Sequence, residues 1–462
     1  MLKSICKTST VRSFFSTTAF TSSHRTAAIG HSSLFNAEPT HVFKPLQQFA
    51  PTFYARGEDI KPLYQPCVFY SQLKSNILSA KERVFIAALY IGQNEQDLVD
   101  TIRKALAKNP ELNVHILIDC LRGTRMTKGG QSSATLLLPL IRDYPGRMRV
   151  SMYHTPDLTG LLKRTLPQRF NESIGLMHLK LYGVDNSIML SGANLSSDYF
   201  TNRQDRYMLF HKQSELTDYY YNLLNLISNS TYDNSSNNGN SDAQYDTAIL
   251  PVIQMGPFHI RQDERLTLEL LNIANEQPYP WTIHLTSGYF NFTEKYKSFI
   301  LRTKAKFRFL TAAPEANGFF NSKGVSRFLP PAYTHIERQF YRHIKRMGRE
   351  EDITIEEYRR PGWTYHAKGL WVFLNSKNTS NDELPYATMI GSPNFGQRSM
   401  ERDLEAQVLV ITRNENLRKA LYKEVDLLHQ YSEVVSKETF DKIDRKVPNG
   451  VKIATSFIKT ML

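Results

Sequence analysis

The chain has 462 residues, a net charge of +13, 41% apolar and 22% charged residues. That length allows two or three domain-sized cores, and the positive balance favours nucleic acid, phosphorylated metabolites or an anionic membrane surface as partner. Three scattered cysteines (Cys6, Cys67, Cys120) exclude a disulfide framework and a cysteine zinc site, and no run approaches the roughly 18 apolar residues of a spanning helix.

Residues 1–40 contain Lys3, Lys7, Arg12 and Arg25, many Ser and Thr, and no acid before Glu38. That composition is expected of a mitochondrial transit peptide, left unfolded. Residues 45–226 then read as one lobe: a helix over 70–78, a buried strand over 83–92, a helix over 95–107 and a strand over 114–119. The Asn/Ser-rich tract within 227–248 cannot bury enough apolar surface to order itself and is expected to be a linker. Residues 249–462 repeat the pattern, with helices over 266–273 and 294–302 and strands over 281–290, 307–310 and 387–390. Strands alternating with helices predict two pseudo-repeated α/β/α lobes, each sheet covered on both faces. A polar stretch, 375–385, is expected to form a hairpin tip.

His178-Leu179-Lys180 and His366-Ala367-Lys368 occupy matching places in the two copies. On a strand, residues two apart share a face, so each His projects beside its Lys. Asp185 follows the first pair; Ser191-Gly192-Ala193-Asn194 and Gly391-Ser392-Pro393-Asn394 trail the two, and each asparagine is followed eleven positions on by a carboxylate, Asp205 and Glu405. One such motif is weak; two with equal trailers point to phosphodiester chemistry. A neutral imidazole can attack phosphorus while a second histidine moves the proton. Lys180, Lys368, Asn194, Asn394 and Ser392 are suited to phosphate oxygens or to orienting the site. Asp205 and Glu405 can fix a histidine tautomer. The residues alone leave open which histidine attacks.

This pattern resembles the phospholipase D superfamily, whose signature is His-x-Lys-x4-Asp followed by a Gly/Ser pair and Asn. The resemblance spans about residues 60–430. It implies two lobes sharing one active site, with His178, Lys180, Asp185, His366 and Lys368 as catalytic residues. The second motif departs from it: Phe373 stands where the signature has Asp. With Tyr365 to Trp371 and Gly391 to Ser399, that departure resembles the eukaryotic phosphatidyltransferase branch, which implies transfer from CDP-diacylglycerol to glycerol 3-phosphate with release of CMP. It further implies a place in cardiolipin synthesis in mitochondria, at the matrix face of the inner membrane, with His178 as nucleophile and His366 as general acid/base.

Further cationic candidates for the anionic substrates are Arg122, Arg125, Lys128, Lys163, Arg164 and Arg169. For membrane contact, Ile336, Phe340, Ile344 and Met347 recur at helical spacing among Arg338, Arg342, Lys345, Arg346 and Arg349. Such a helix can lie in an anionic interface or pack its stripe on the core; residues 451–459 are a second candidate. No phosphate loop, dinucleotide fingerprint or His/Cys cluster occurs, so no cofactor and no metal are expected. The rival readings are a hydrolase, a nuclease with steep salt dependence, and a non-catalytic module binding anionic lipid.

Overall fold

The computed structural model describes residues 33–158, 171, 174–228, 245–375 and 383–459. Runs such as Val84-Phe85-Ile86-Ala87-Ala88 lack polar alternation, so their strands need cover on both faces. Arg83–Ala88 and Asn113–Asp119 pair in parallel and are joined by helix Gln96–Lys108, which buries Leu98, Val99, Ile102, Ala105 and Leu106 at helical spacing. Met148–Tyr153 extends the parallel set. On the other side, Leu181–Val184, Ser187–Ser191 and Tyr207–Phe210 add antiparallel strands, and Ile60–Leu63 closes a seven-stranded sheet.

The second copy repeats that order. Leu404–Thr412, Ala387–Gly391, Lys368–Phe373, Thr282–Ser287, Lys306–Ala312 and Ile353–Tyr358 lie side by side, so the expected two α/β lobes are present. This sheet is extended by Thr247–Met255 and Phe53–Ala55 at one edge and by Ser432–Val434 at the other.

The sheets face each other across a shared core. Helices Ser214–Ile227 and Glu415–His429 both contribute to it, with Leu190, Met208 and Phe210 of one sheet meeting Val408, Val410 and Trp371 of the other. Separate apolar clusters cover the outer face of each sheet. A continuous core of this kind fixes the lobes against each other, because separating them would expose its apolar surface to water.

The chain's start differs from the expected division. Leu34, Phe35, Phe43, Leu46 and Ala50 are buried in the second lobe's outer core, beside Leu266 and Trp281. Phe53–Ala55 is hydrogen-bonded into the second sheet. Residues 33–55 therefore belong to the second lobe, not to an unfolded leader or to the first lobe. The remainder of the expected transit peptide, the Asn/Ser tract from 229 to 244 and the tip of the 375–385 stretch lie outside the described residues. The basic helix, Leu329–Arg346, packs Ile336, Phe340 and Ile344 into the core, so it is a core helix and not an interfacial one. Arg338 and Arg349 spend their guanidinium groups on backbone carbonyls of neighbouring segments.

Candidate active site

The two motifs meet because each lobe lends backbone to the other. Leu404 N–H donates to Leu176 O (2.8 Å), and His178 N–H to Leu404 O (2.9 Å). In the mirrored place, Thr364-Tyr365 pairs in parallel with Arg203-Gln204, and His366 N–H donates to Gln204 O (2.8 Å). Asp403 and Asp119 brace the first crossing by accepting from Leu176 and Met177 N–H, at 2.8 and 3.0 Å. The segment bearing each histidine is thus held by the segment that leads to the other lobe's carboxylate.

The side chains follow the same crossing. His178 Nδ1 lies 2.9 Å from Glu405 Oε2, and His366 Nδ1 lies 2.7 Å from Asp205 Oδ2. When ionised, each carboxylate can only accept, which places the proton on Nδ1 and leaves Nε2 unprotonated. Carboxylates eleven residues beyond the asparagines therefore orient histidines, as their chemistry suggested, but each serves the histidine of the opposite lobe.

The trailers support those carboxylates. Gly192 and Ser392 occupy equivalent places. A Cβ at Gly192 would lie 2.7 Å from Asp205 Oδ1, so the glycine leaves room for that carboxylate. Ser392 is tied to the Ala406 backbone and helps hold down the pKa of Glu405. Ser399 Oγ donates to Glu405 Oε1 (2.8 Å) and accepts from Asn394 N–H (3.2 Å). Asn194 Nδ2 donates to Tyr199 OH (3.1 Å), which lies 3.4 Å from His366 Nε2. The side-chain oxygens of Asn194 and Asn394 are buried without a protein hydrogen bond.

Lys180 Nζ donates to His178 O (2.7 Å), and Lys368 Nζ to His366 O (2.6 Å), each folding back on its own histidine. Lys368 Nζ also stands 3.1 Å from His366 Nε2; Nδ1 is occupied by Asp205. Both histidines, both lysines and both carboxylates are buried. Burial, reinforced by Lys180, lowers His178 well below the usual imidazole pKa. Burial and then Lys368 do the same to His366. Burial pushes Glu405 up to about 7, against Lys180, and Asp205 up to about 6, against Lys368. It lowers Lys180 well below the usual lysine value and Lys368 to about 8. Burial thus disfavours the charged form of each group, and a phosphate entering the pocket would favour both ammonium forms.

Asp185 is not in this site. It sits at the turn between Leu181–Val184 and Ser187–Ser191 with φ 49°, and its carboxylate accepts the backbone N–H groups of Lys81, Glu82 and Arg83 at 2.9, 2.8 and 3.1 Å. Asp185 is therefore a clamp on the start of Arg83–Ala88 rather than a catalytic residue. Phe373 ends the equivalent strand of the second lobe and packs on His284, ring centroids 4.7 Å apart. A ring contact therefore stands in the second lobe where the first has a hydrogen-bonded clamp.

Several site residues were not singled out in the sequence. Tyr199 and Ser399 each lie five residues beyond their asparagine, an offset that matches between copies. Tyr289 packs edge-on to His366 (5.7 Å), and Arg203 lies over the Tyr199 ring (4.6 Å) and donates to Thr364 Oγ1 (3.0 Å). Of the other cationic candidates, Arg122 stacks on Tyr90 (4.7 Å) and lines with Arg125 a cleft of about 270 Å³ that also includes Glu95 and Asp198. Lys128 is exposed and lines no part of it. Lys163, Arg164 and Arg169 fall outside the described residues.

No family model matches the chain. Individual relatives do. It is 39% identical to "CDP-diacylglycerol--glycerol-3-phosphate 3-phosphatidyltransferase, mitochondrial" of Homo sapiens, over 91% of this chain and 86% of that one. It is likewise 39% identical to the Saccharomyces cerevisiae enzyme of the same activity name, covering 90% and 91%. In fold it is similar to a crystal structure of phosphatidylserine synthase from Haemophilus influenzae, with TM-score 0.71, 19% identity and coverage of 92% of this chain and 100% of that one. Two histidine–carboxylate pairs crossed between repeated lobes, together with identity of this extent, show that the chain belongs to the CDP-diacylglycerol–glycerol-3-phosphate 3-phosphatidyltransferase family.

Proposed function

We propose that the chain transfers a phosphatidyl group from CDP-diacylglycerol to sn-glycerol 3-phosphate, through a phosphohistidine, in mitochondria at the matrix face of the inner membrane. The observation that supports this best is the pair of buried imidazoles whose Nδ1 atoms are held by carboxylates of opposite lobes. In the first step His178 Nε2 forms a bond to the phosphorus attached to diacylglycerol. The bond from that phosphorus to the CMP oxygen breaks, and CMP leaves with the electron pair. In the second step a glycerol 3-phosphate hydroxyl attacks the phosphohistidine, the P–N bond breaks, and His366 Nε2 takes the hydroxyl proton. Lys180 and Lys368 hold the non-bridging oxygens, whose charge grows in each transition state.

The relatives' names favour this acceptor over water, and the basic pocket suits two anionic substrates. The test is turnover of CDP-diacylglycerol with and without glycerol 3-phosphate. Phosphatidylglycerophosphate, and CMP beyond the one equivalent per enzyme released on forming the phosphohistidine, should form only with the acceptor. Phosphatidic acid made equally well without it would replace the transferase reading with a hydrolase.

A further inference from the structure

Large apolar side chains exposed singly are ordinary on a protein surface, but four of them lie on two segments at the catalytic end of the second sheet. Phe320 is 47%, Val325 66%, Phe328 39% and Ile453 64% exposed. Two chain segments bring them there. The first is residues 317–328, anchored by Phe319. Tyr289 lies between Phe319 (5.8 Å) and His366 (5.7 Å) and stacks on Tyr333 (5.3 Å) of helix Leu329–Arg346. A Cβ on Gly318 would lie 3.5 Å from both Arg203 and Tyr289, so this loop lies against two side chains that flank His366.

The second segment is the terminal helix, Asn449–Ile458. Val447 and Val451 cluster with Ala332 at the start of helix Leu329–Arg346. Its far end is tied to the loop after strand Thr282–Ser287, because Asn291 Nδ2 donates to Lys459 O (2.8 Å). That strand's Ser287 is the register partner of Lys368. Both segments therefore sit at the end of the sheet that carries the catalytic groups. Val451 and Thr455 face inward, which turns Ile453 outward.

Charge completes the surface. Residues 320–328 and 446–453 contain Lys323, Arg327, Lys446 and Lys452 and no acid. Apolar side chains that can enter the acyl boundary, ringed by cations, match the chemistry of an anionic bilayer. The position next to His366 suits a substrate whose acyl chains stay in that bilayer.

We propose that Phe320, Val325, Phe328 and Ile453, flanked by Lys323, Arg327, Lys446 and Lys452, form the face that docks on an anionic membrane and opens the site to its lipid. This rests on the phosphatidyltransferase reading for its purpose, but its test does not need turnover. The measurement is co-sedimentation of the full chain with phosphatidylcholine vesicles, with and without phosphatidylglycerol. Wild-type binding should require the anionic lipid and weaken with salt. The combined variant Val325→Asp/Phe328→Asp/Ile453→Asp, at an unchanged melting temperature, should lose binding roughly tenfold or more. Lys323→Glu/Arg327→Glu, a second variant on exposed side chains, should lose most of the preference for phosphatidylglycerol. Val68→Asp, equally accessible on the first lobe, should bind and turn over as wild type. Wild-type vesicle binding by both patch variants would overturn the proposal, as would an equal loss in Val68→Asp. A patch variant that only dissolved an oligomer in sedimentation velocity, with vesicle binding intact, would assign the face to a second copy instead. If the chain bound vesicles through this face but made no phosphatidylglycerophosphate, the docking proposal would stand and the acceptor assignment would fall.

Discussion

The first lobe has a complete His-x-Lys-x4-Asp motif and the second ends its motif in Phe373, yet the two histidines are held alike. Each has a carboxylate on Nδ1, a lysine folded on its own carbonyl and a backbone bond to the other lobe. Within His-x-Lys-x4-Asp the aspartate is the one signature residue in which the lobes differ, and it lies outside the site. What distinguishes the histidines is their surroundings. His366 has Tyr199, Tyr289 and Arg203 around it, and the 317–328 loop packs against the last two. His178 has Asp403 and Arg398 nearby as charged neighbours. Sequence asymmetry and chemical asymmetry therefore have separate causes here.

That comparison can be broken most severely at the carboxylates. Because they are crossed, Glu405→Gln should reproduce the defect of a first-lobe histidine variant, and Asp205→Asn that of a second-lobe one. Each should lower kcat by roughly 10² to 10⁴ by losing the tautomer while keeping the packing. Stopped-flow release of CMP separates them: Glu405→Gln slows the CMP burst, whereas Asp205→Asn leaves a burst and slows the steady state. The reverse pattern would mean that the lobes exchange roles.

A smaller effect concerns pH. Burial lowers both histidines, so their own protonation falls below the ordinary imidazole value. Asp205 at about 6 and Glu405 at about 7 must lose their protons to accept the Nδ1–H groups, so kcat/KM should fall as pH drops through neutrality. Lys368, lowered by burial to about 8, is charged below that pH and neutral above it, so activity should fall again as pH rises through it. Lys368→Arg, whose guanidinium does not titrate in this range, should keep a reduced activity with no alkaline limb near pH 8. A limb that persists would assign it to another group.

The smallest effect should come from the residue the motif emphasises. Asp185→Ala leaves three backbone N–H groups without their carboxylate, which costs about 1–3 kcal/mol of stability. Thermal melting should record that loss, while kcat per folded molecule stays within about twofold, since no reacting atom is touched. A large fall in kcat at full folding would return Asp185 to the catalytic machinery.

The sequence was most legible where local chemistry repeats. The strands around Val84, Ile116 and Ile283, the His–Lys pairs and the eleven-residue offsets to Asp205 and Glu405 could all be read from residue type and spacing. The crossing could not, because an offset along the chain does not say which lobe's histidine a carboxylate will meet. Strand geometry opposes the catalytic role that the motif implies for Asp185. It lies five residues after Lys180, an odd number that turns it to the opposite face, and roughly 17 Å further along at about 3.3 Å per residue. The expected leader extends too far because Leu34 and Phe35 are too few to outweigh a basic, Ser/Thr-rich composition, and only tertiary packing against Leu266 and Trp281 reveals their place. For the helix at Ile336, the amphipathic pattern fits a membrane and a core equally well. The core is what the structure supplies.

In one composite site, His178 is proposed to take the phosphatidyl group and His366 to manage the proton. The most direct measurement uses CDP-diacylglycerol labelled at the phosphorus next to diacylglycerol, mixed with the enzyme without glycerol 3-phosphate and quenched in alkali, which spares a phosphohistidine. Wild type and His366→Ala should both retain protein-bound label, and His178→Ala should retain none. Label that survives in His178→Ala and disappears in His366→Ala would contradict the assignment, and label in neither single variant nor wild type would contradict the covalent step itself.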